Sequence, residues 1–209
     1  MARGSKVFRP ADLSESNASS YPEPFREEQR KRYTRRLGDH AGLKNYGVNL
    51  VRVLPDGQSS ARHTHSKQDE FVYVVEGEFV LVTDAGRETV GPGTCIGFPA
   101  GTGDGHHFLN LTQKDAIFLV IGDRTAGDEV TYPDIDLELK AGPDGVRGFR
   151  RKDGTPYPRA ARSVAGRCRL GEATFAGMGG KEEDAPVPDI SQPGYHLEPG
   201  GRSRQKVLQ

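Results

Sequence analysis

Residues 57–77 read GQSSARHTHSKQDEFVYVVEG, and the fold and the chemistry are both legible in them. His63 and His65 stand two apart, so on an extended strand both imidazoles leave from the same face. Glu70 follows after four residues, across a predicted turn, and opens a run, Glu70-Phe-Val-Tyr-Val-Val75, of β-branched and aromatic residues. In that run Glu70, Val72 and Val74 share a face and Tyr73 takes the other, which also turns Asp69 away from the histidines.

Outward from this stretch the chain keeps the same texture. Short β-rich runs alternate with turn formers: Gly47–Leu54 before Pro55-Asp56-Gly57, Glu78–Thr83 before Asp84-Ala-Gly86, Arg87–Val90 before Gly91-Pro-Gly93, then Thr94–Phe98, His106–Leu111 and Ala116–Ile121. Strands at this spacing predict an all-β sandwich or barrel. Gly57, Gly77 and Gly93 fall at the turns, where a positive φ is expected. Thr131–Lys140 alternates strictly, with Ile135, Leu137 and Leu139 on one side, and predicts one half-buried strand.

The flanks differ. Phe25, Tyr33 and Leu37 recur near helical spacing and predict a helix ended by Gly38, in a stretch crowded with Arg26, Arg30, Lys31, Arg32, Arg35 and Arg36 that reads as a solvated face. Beyond residue 141 Gly, Pro and Arg dominate and apolar residues thin out, so an irregular or disordered extension is expected. The predicted organisation is an N-terminal arm over 1–45, a barrel over 46–140 and an extension over 141–209.

Lys and Arg number 29 against 29 Asp and Glu, a balance that calls for neither nucleic acid nor an anionic membrane as partner. Two cysteines, Cys95 and Cys168, have no paired spacing, and no apolar stretch follows Met1–Lys6; a cytoplasmic protein is expected. Cys95 reads as a small buried hydrophobe. Phe79 and Phe98 read as core or pocket wall. Arg52 reads either as a substrate contact or as a solvent-facing side chain, and Arg62 as pointing out of the barrel.

A second histidine segment, residues 93–110, reads GTCIGFPAGTGDGHHFLN. Strand phase groups His106, Phe108 and Asn110 on one face and His107 with Leu109 on the other. Three imidazoles, His63, His65 and His106, and one carboxylate, Glu70, are thus supplied by separate strands. That set suits divalent iron, manganese, nickel, cobalt or zinc, and four protein ligands on an octahedral ion leave two positions for water or substrate.

Together the segments resemble the cupin superfamily. Gly57, His63, His65, Glu70 and Gly77 match every fixed position of its first motif, and Gly93, Pro99, Gly101, His106 and Asn110 those of its second. The departure is Thr102–Gly105, four residues where two are usual, which keeps His107 as the alternative ligand to His106. The runs Gln68–Glu78 and Tyr132–Leu137 look like those of bacterial single-domain cupins with one conserved barrel. The resemblance implies a double-stranded β-helix (jelly-roll) barrel, a divalent metal (Fe, Mn, Ni or Zn) on His63, His65, Glu70 and His106, and a homodimer. Glu70 is the candidate catalytic residue, able to take a proton as well as to ligate. The expected activity is that of a metalloenzyme on a small oxygen-rich molecule: O₂ chemistry with iron, isomerase or lyase steps with the other ions. The alternative is a binding or sensor module without turnover.

Overall fold

The computed structural model describes residues 7–143 and 145–158. In chain order its strands are β1 (Arg32–Arg36), β2 (Tyr46–Val53), β3 (Gly57–Gln58), β4 (Thr64–His65), β5 (Glu70–Glu76), β6 (Phe79–Thr83), β7 (Gly86–Val90), β8 (Cys95–Phe98), β9 (His107–Asn110), β10 (Ala116–Asp123), β11 (Val130–Tyr132), β12 (Leu137–Ala141) and β13 (Arg147–Arg150), with a short helix α1 (Leu37–Ala41). A five-stranded sheet runs in the order β1-β2-β10-β5-β8, and two four-stranded sheets run β3-β9-β6-β7 and β13-β12-β11-β4. All pairings are antiparallel. The fold is the expected jelly-roll barrel.

The alternation read from the sequence holds on the strands that matter. Along β5, Glu70, Val72 and Val74 are buried and Phe71, Tyr73 and Val75 exposed. The inward residues of the five-stranded sheet, among them Val51, Val53, Val72, Val74, Phe118 and Val120, meet Phe79, Leu81 and Phe108 from the sheet opposite. Phe79 sits edge-on to Phe118 and Phe108 at ring-centroid distances of 5.4 and 5.9 Å. A second apolar cluster, Tyr21, Ala61, Val130, Tyr132, Leu137 and Tyr157, closes the end of the barrel where the histidine strand enters.

Two glycines hold the first motif in place for different reasons. Gly77 has φ +75°, and a Cβ there would stand 2.7 Å from the Ala116 Cβ. Gly93 also has positive φ, at +87°. Gly57 does not; it is needed for close approach, since a Cβ would meet the Leu54 carbonyl oxygen at 2.8 Å and the Lys31 Cβ at 2.9 Å.

Several expectations are corrected. In place of the predicted N-terminal helix, Arg32–Arg36 forms β1, because β2 offers it a full ladder from Arg32↔Val53 to Arg36↔Asn49. Pairing overrides local helical spacing there. The residual helix α1 contains Gly38 and is ended instead by Gly42, at φ +79°. Thr131–Lys140 is a hairpin and not one strand: Pro133–Asp136 form the turn between β11 and β12, which pair Val130↔Leu139 and Tyr132↔Leu137. Beyond residue 141, β13 continues that sheet and Tyr157 packs into its core. The remainder of the expected irregular extension, residues 159–209 with Cys168, lies outside the described residues. Cys95 is exposed, because its partner across the ladder is the outward Tyr73. Among the described residues no helix is long and apolar enough to cross a membrane.

Candidate metal centre

The two motif segments are brought together by an antiparallel bridge in which His63 and His106 exchange backbone hydrogen bonds of 3.1 and 2.9 Å. His65 follows on β4, and Glu70 enters from the first residue of β5, in the other sheet. All four side chains are buried. His63, Glu70 and His106 offer ligand atoms that lie within 4.8 Å of one another. From Glu70 Oε2 the imidazole Nε2 atoms stand at 2.9 Å (His106), 3.7 Å (His63) and 3.9 Å (His65).

The far side of each ring fixes what the near side can do. His63 Nδ1 lies 3.0 Å from the Ala61 carbonyl oxygen, which only accepts, so Nδ1 carries the proton and Nε2 keeps its lone pair. The Ser60 hydroxyl is also near that Nδ1, at 3.2 Å. His65 donates from Nδ1 to the Asp128 carboxylate at 2.8 Å, with the same consequence. His106 is stacked face to face on Phe98, at 3.5 Å between centroids and 5° between planes. Asp128, itself buried, is held by the backbone N–H groups of Lys67 and Gln68 and by Arg147.

Two imidazole lone pairs therefore face one carboxylate oxygen across a few ångströms. That arrangement is repulsive unless a cation sits among them. His65 Nε2 and Glu70 Oε1 are buried with no hydrogen-bond partner among the described residues, and a divalent cation would satisfy both. The residues present fit a metal.

Electrostatics points the same way at Glu70 and His63. Burial raises the Glu70 carboxyl, but the His106 hydrogen bond and the nearby His63 and His65 rings outweigh it and hold the group well below the usual carboxylate range, hence ionised. Burial pushes His63 down, toward the neutral form that ligates. For His65 burial also acts downward, but the bond to Asp128 and the charge of Glu70 prevail and the pKa is raised.

Small cavities adjoin the cluster on two sides. One is lined by His63, Glu70, His106, Arg32, Ser59 and Ser60 against an apolar wall. A second lies between His65, Glu70 and His106 and the segment holding Pro99, Thr102 and Asp104.

The other sequence candidates are now placed. His107 turns away and its Nδ1 meets the Ser60 carbonyl oxygen at 3.1 Å, so the longer Thr102–Gly105 loop leaves His106 facing Glu70. That loop is secured from outside: Asp104 accepts from the Asp84 backbone N–H at 2.8 Å, and Arg62 forms a fork with Asp134 at 2.6 and 2.7 Å while also pairing with Asp84. Asp69 is exposed and accepts from the Ala100 N–H at 2.8 Å. Asn110, the last residue of β9, bonds the Val53 and Lys114 carbonyls and braces the turn that follows. Arg52 is no part of the site; it pairs with Glu15 and Asp115, each at 2.6 Å. Sequence reasoning missed Asp128 and Arg32, which reach the site from outside the two motifs, and gave Tyr132 no place there, although its ring centroid lies 5.9 Å from that of His63.

Residues 49–122 match the cupin domain family. No curated protein matches the chain. The chain is similar to the crystal structure of a sugar phosphate isomerase of the cupin superfamily from Silicibacter pomeroyi, with 42% identity, TM-score 0.68, and coverage of 73% of this chain and 97% of that one. It is also similar to a candidate sugar phosphate isomerase from Acidithiobacillus ferrooxidans, with 29% identity, TM-score 0.54, and coverage of 62% and 81%. With both histidine motifs gathered on one carboxylate inside a jelly roll, and with this likeness along most of the described residues, the chain belongs to the cupin superfamily.

Proposed function

We propose that the chain is a metal-dependent isomerase acting on a small oxygen-rich molecule, with sugar phosphates as its substrate class. The observation that carries this reading is the convergence of the His63 and His65 lone pairs on the Glu70 carboxylate beside a cavity that Glu70 and His63 help to line. The 42% identity to a sugar phosphate isomerase supports the choice of reaction.

The proposed ligands are His63, His65, Glu70 and His106; iron, manganese, nickel and zinc all suit that set. Bound there, a divalent ion supplies a Lewis acid that polarises carbonyl and hydroxyl oxygens. The rest is the work of the chain. Ala61 and Asp128 hold His63 and His65 in one tautomer. Phe98 covers one face of His106 and excludes water from it. Glu70 Oε2 is engaged by His106, whereas Oε1 is without a partner among the described residues. Glu70 is the proposed group that takes a proton from one substrate carbon and returns it to the next, through the carboxylate oxygen left free of the metal. The setting is proposed to be cytoplasmic. The active form is proposed to be a homodimer paired through the outer face of β5, where Phe71, Tyr73 and Val75 are exposed.

The test begins with elemental mass spectrometry of protein purified without a chelating tag, beside a His63→Ala/His65→Ala variant. About one equivalent of metal in the first and none in the second is expected. The metal-loaded protein is then incubated with aldose and ketose phosphates in D₂O and followed by NMR. Deuterium entering the carbon next to the carbonyl, abolished by Glu70→Gln, is the expected result. No metal after reloading with each ion would sink the whole reading. Bound metal with no exchange on any sugar phosphate would remove the isomerase and leave a metal-binding cup.

A further inference from the structure

Gln68 lies on the connection that leads from His65 on β4 to Glu70 on β5, and it is 3% exposed. Its backbone N–H donates to the Asp128 carboxylate at 3.3 Å, and its side-chain Nε2 donates to the Thr125 carbonyl oxygen at 2.9 Å. A carbonyl only accepts, so the second bond fixes which end of the amide is nitrogen and which is oxygen. The oxygen, Oε1, is buried and has no hydrogen-bond partner among the described residues. A buried acceptor left unanswered costs stability, so its place in the fold calls for a donor that comes from outside those residues.

Gln68 lines the second cavity, together with His65, Glu70 and Asp104. That cavity has room for a single water-sized group. Glu70 Oε1 is likewise buried without a partner among the described residues. An amide oxygen and two carboxylates therefore border the space, and all three accept. A phosphate or a carboxylate has only acceptors to offer and would be repelled there; the group that fits must bring an O–H. Phe98 and Pro99 form an apolar part of the lining, where a hydrogen bond is worth more than it is in water.

We propose that Gln68 recognises a hydroxyl group of the bound small molecule: the O–H enters the second cavity and donates to Gln68 Oε1. This rests on the reading that a small oxygen-rich molecule binds beside the histidine cluster, and it names the part of that molecule the cavity selects. A water fills the place until the hydroxyl displaces it. Gln68 touches the hydroxyl and not the reacting bond, so it serves specificity.

The test compares glycolate with acetate, two acids that differ by one hydroxyl, in calorimetric titrations of wild type and Gln68→Met, with metal content measured on the same samples. Wild type binds glycolate at least about ten-fold more tightly than acetate, and in Gln68→Met that ratio falls to about two-fold or less. A crystal of wild type soaked in glycolate places the hydroxyl oxygen within hydrogen-bond distance of Gln68 Oε1. A ratio that Gln68→Met leaves intact overturns the proposal, even where both acids bind more weakly, because a residue that only holds the chain to Thr125 would act on both alike. So does a wild type without the preference, a wild type that binds neither acid, or a crystal in which Gln68 Oε1 meets the metal or a water that glycolate does not displace. The metal reading is decided separately by the measured metal content, and a metal-free wild type that keeps the preference keeps this inference. Neither acid is a sugar phosphate, so the isomerase can fail in its own assay while Gln68 retains its role. Should Gln68→Met not fold, as read by circular dichroism, the wild-type ratio and the wild-type crystal decide under the same outcomes.

Discussion

Asp128 Oδ2 accepts the Nδ1–H of His65 at 2.8 Å, from a position 63 residues along the chain. The carboxylate is buried, and its other oxygen takes the backbone N–H groups of Lys67 and Gln68, at 3.0 and 3.3 Å. One side chain thus fixes both the ring of a proposed ligand and the turn that leads from it to Glu70. Asp128→Asn keeps the shape and most hydrogen bonds but offers an N–H or a neutral carbonyl where His65 has a full charge. Metal affinity is expected to fall about 10- to 100-fold, read by competition with a chromogenic chelator, with little change in the far-ultraviolet spectrum. An unchanged affinity would mean that His65 does not ligate.

His106 and His107 are adjacent and point oppositely, which makes a clean pair. His106→Ala removes the ring whose Nε2 lies 2.9 Å from Glu70 and should abolish stoichiometric metal. His107→Gln alters a half-buried ring that meets the Ser60 carbonyl and should keep one equivalent. Elemental analysis of the two variants decides the register of the second motif. The reverse pattern would show that the loop of Thr102–Gly105 shifts the strand by one residue in solution.

How much of this was legible beforehand follows from the range of each interaction. The faces of β5 and β9 could be read directly, because alternation is a property of neighbours in sequence and the burial of Glu70, Val72, Phe108 and Asn110 obeys it. The ends were misread where a distant partner decides the outcome. Arg32–Arg36 has helical spacing but is claimed by the edge of β2, and nothing in residues 25–37 announces that edge. Pro133–Asp136 carried a turn signal that the alternation of Ile135, Leu137 and Leu139 concealed. Asp128 and Arg32 could not be found by motif at all. Each acts across the fold, Asp128 on His65 and Arg32 at the Ser59 carbonyl, and no fixed spacing ties them to the histidines.

Asn110 is the last fixed position of the second motif but makes no contact suited to a metal. Its side-chain nitrogen donates to the Val53 and Lys114 carbonyls at 2.9 and 2.7 Å, and its oxygen accepts from the Thr112 N–H and hydroxyl at 3.0 and 2.8 Å. It is fully buried. Asn110→Ala leaves two carbonyls and one N–H to find new partners, and a loss of about 2–4 kcal/mol is expected from urea unfolding. Metal stoichiometry in the folded variant should stay at that of wild type. A variant that keeps its stability but loses metal would reverse the assignment and make Asn110 part of the centre.

The outer face of the five-stranded sheet carries the last prediction. Phe71, Tyr73 and Val75 are exposed at 42%, 39% and 44%, and Tyr73 lies between Leu119 of β10 and Cys95 of β8 in the ladder. Leu119 in turn pairs with Leu50 of β2, so apolar side chains run across four strands on a face turned from the core. A single exposed aromatic is ordinary; a contiguous stripe on a regular sheet is the kind of surface that pairs with its own copy about a two-fold axis. Light scattering is expected to give twice the chain mass for wild type and the chain mass for Tyr73→Asp, whose charge would face its symmetry mate's apolar stripe. Because Tyr73 points away from Glu70 on the same strand, the variant should retain its metal. A wild type that is monomeric at the highest concentrations measured would remove the homodimer from the proposed active form without touching the centre on the other side of β5.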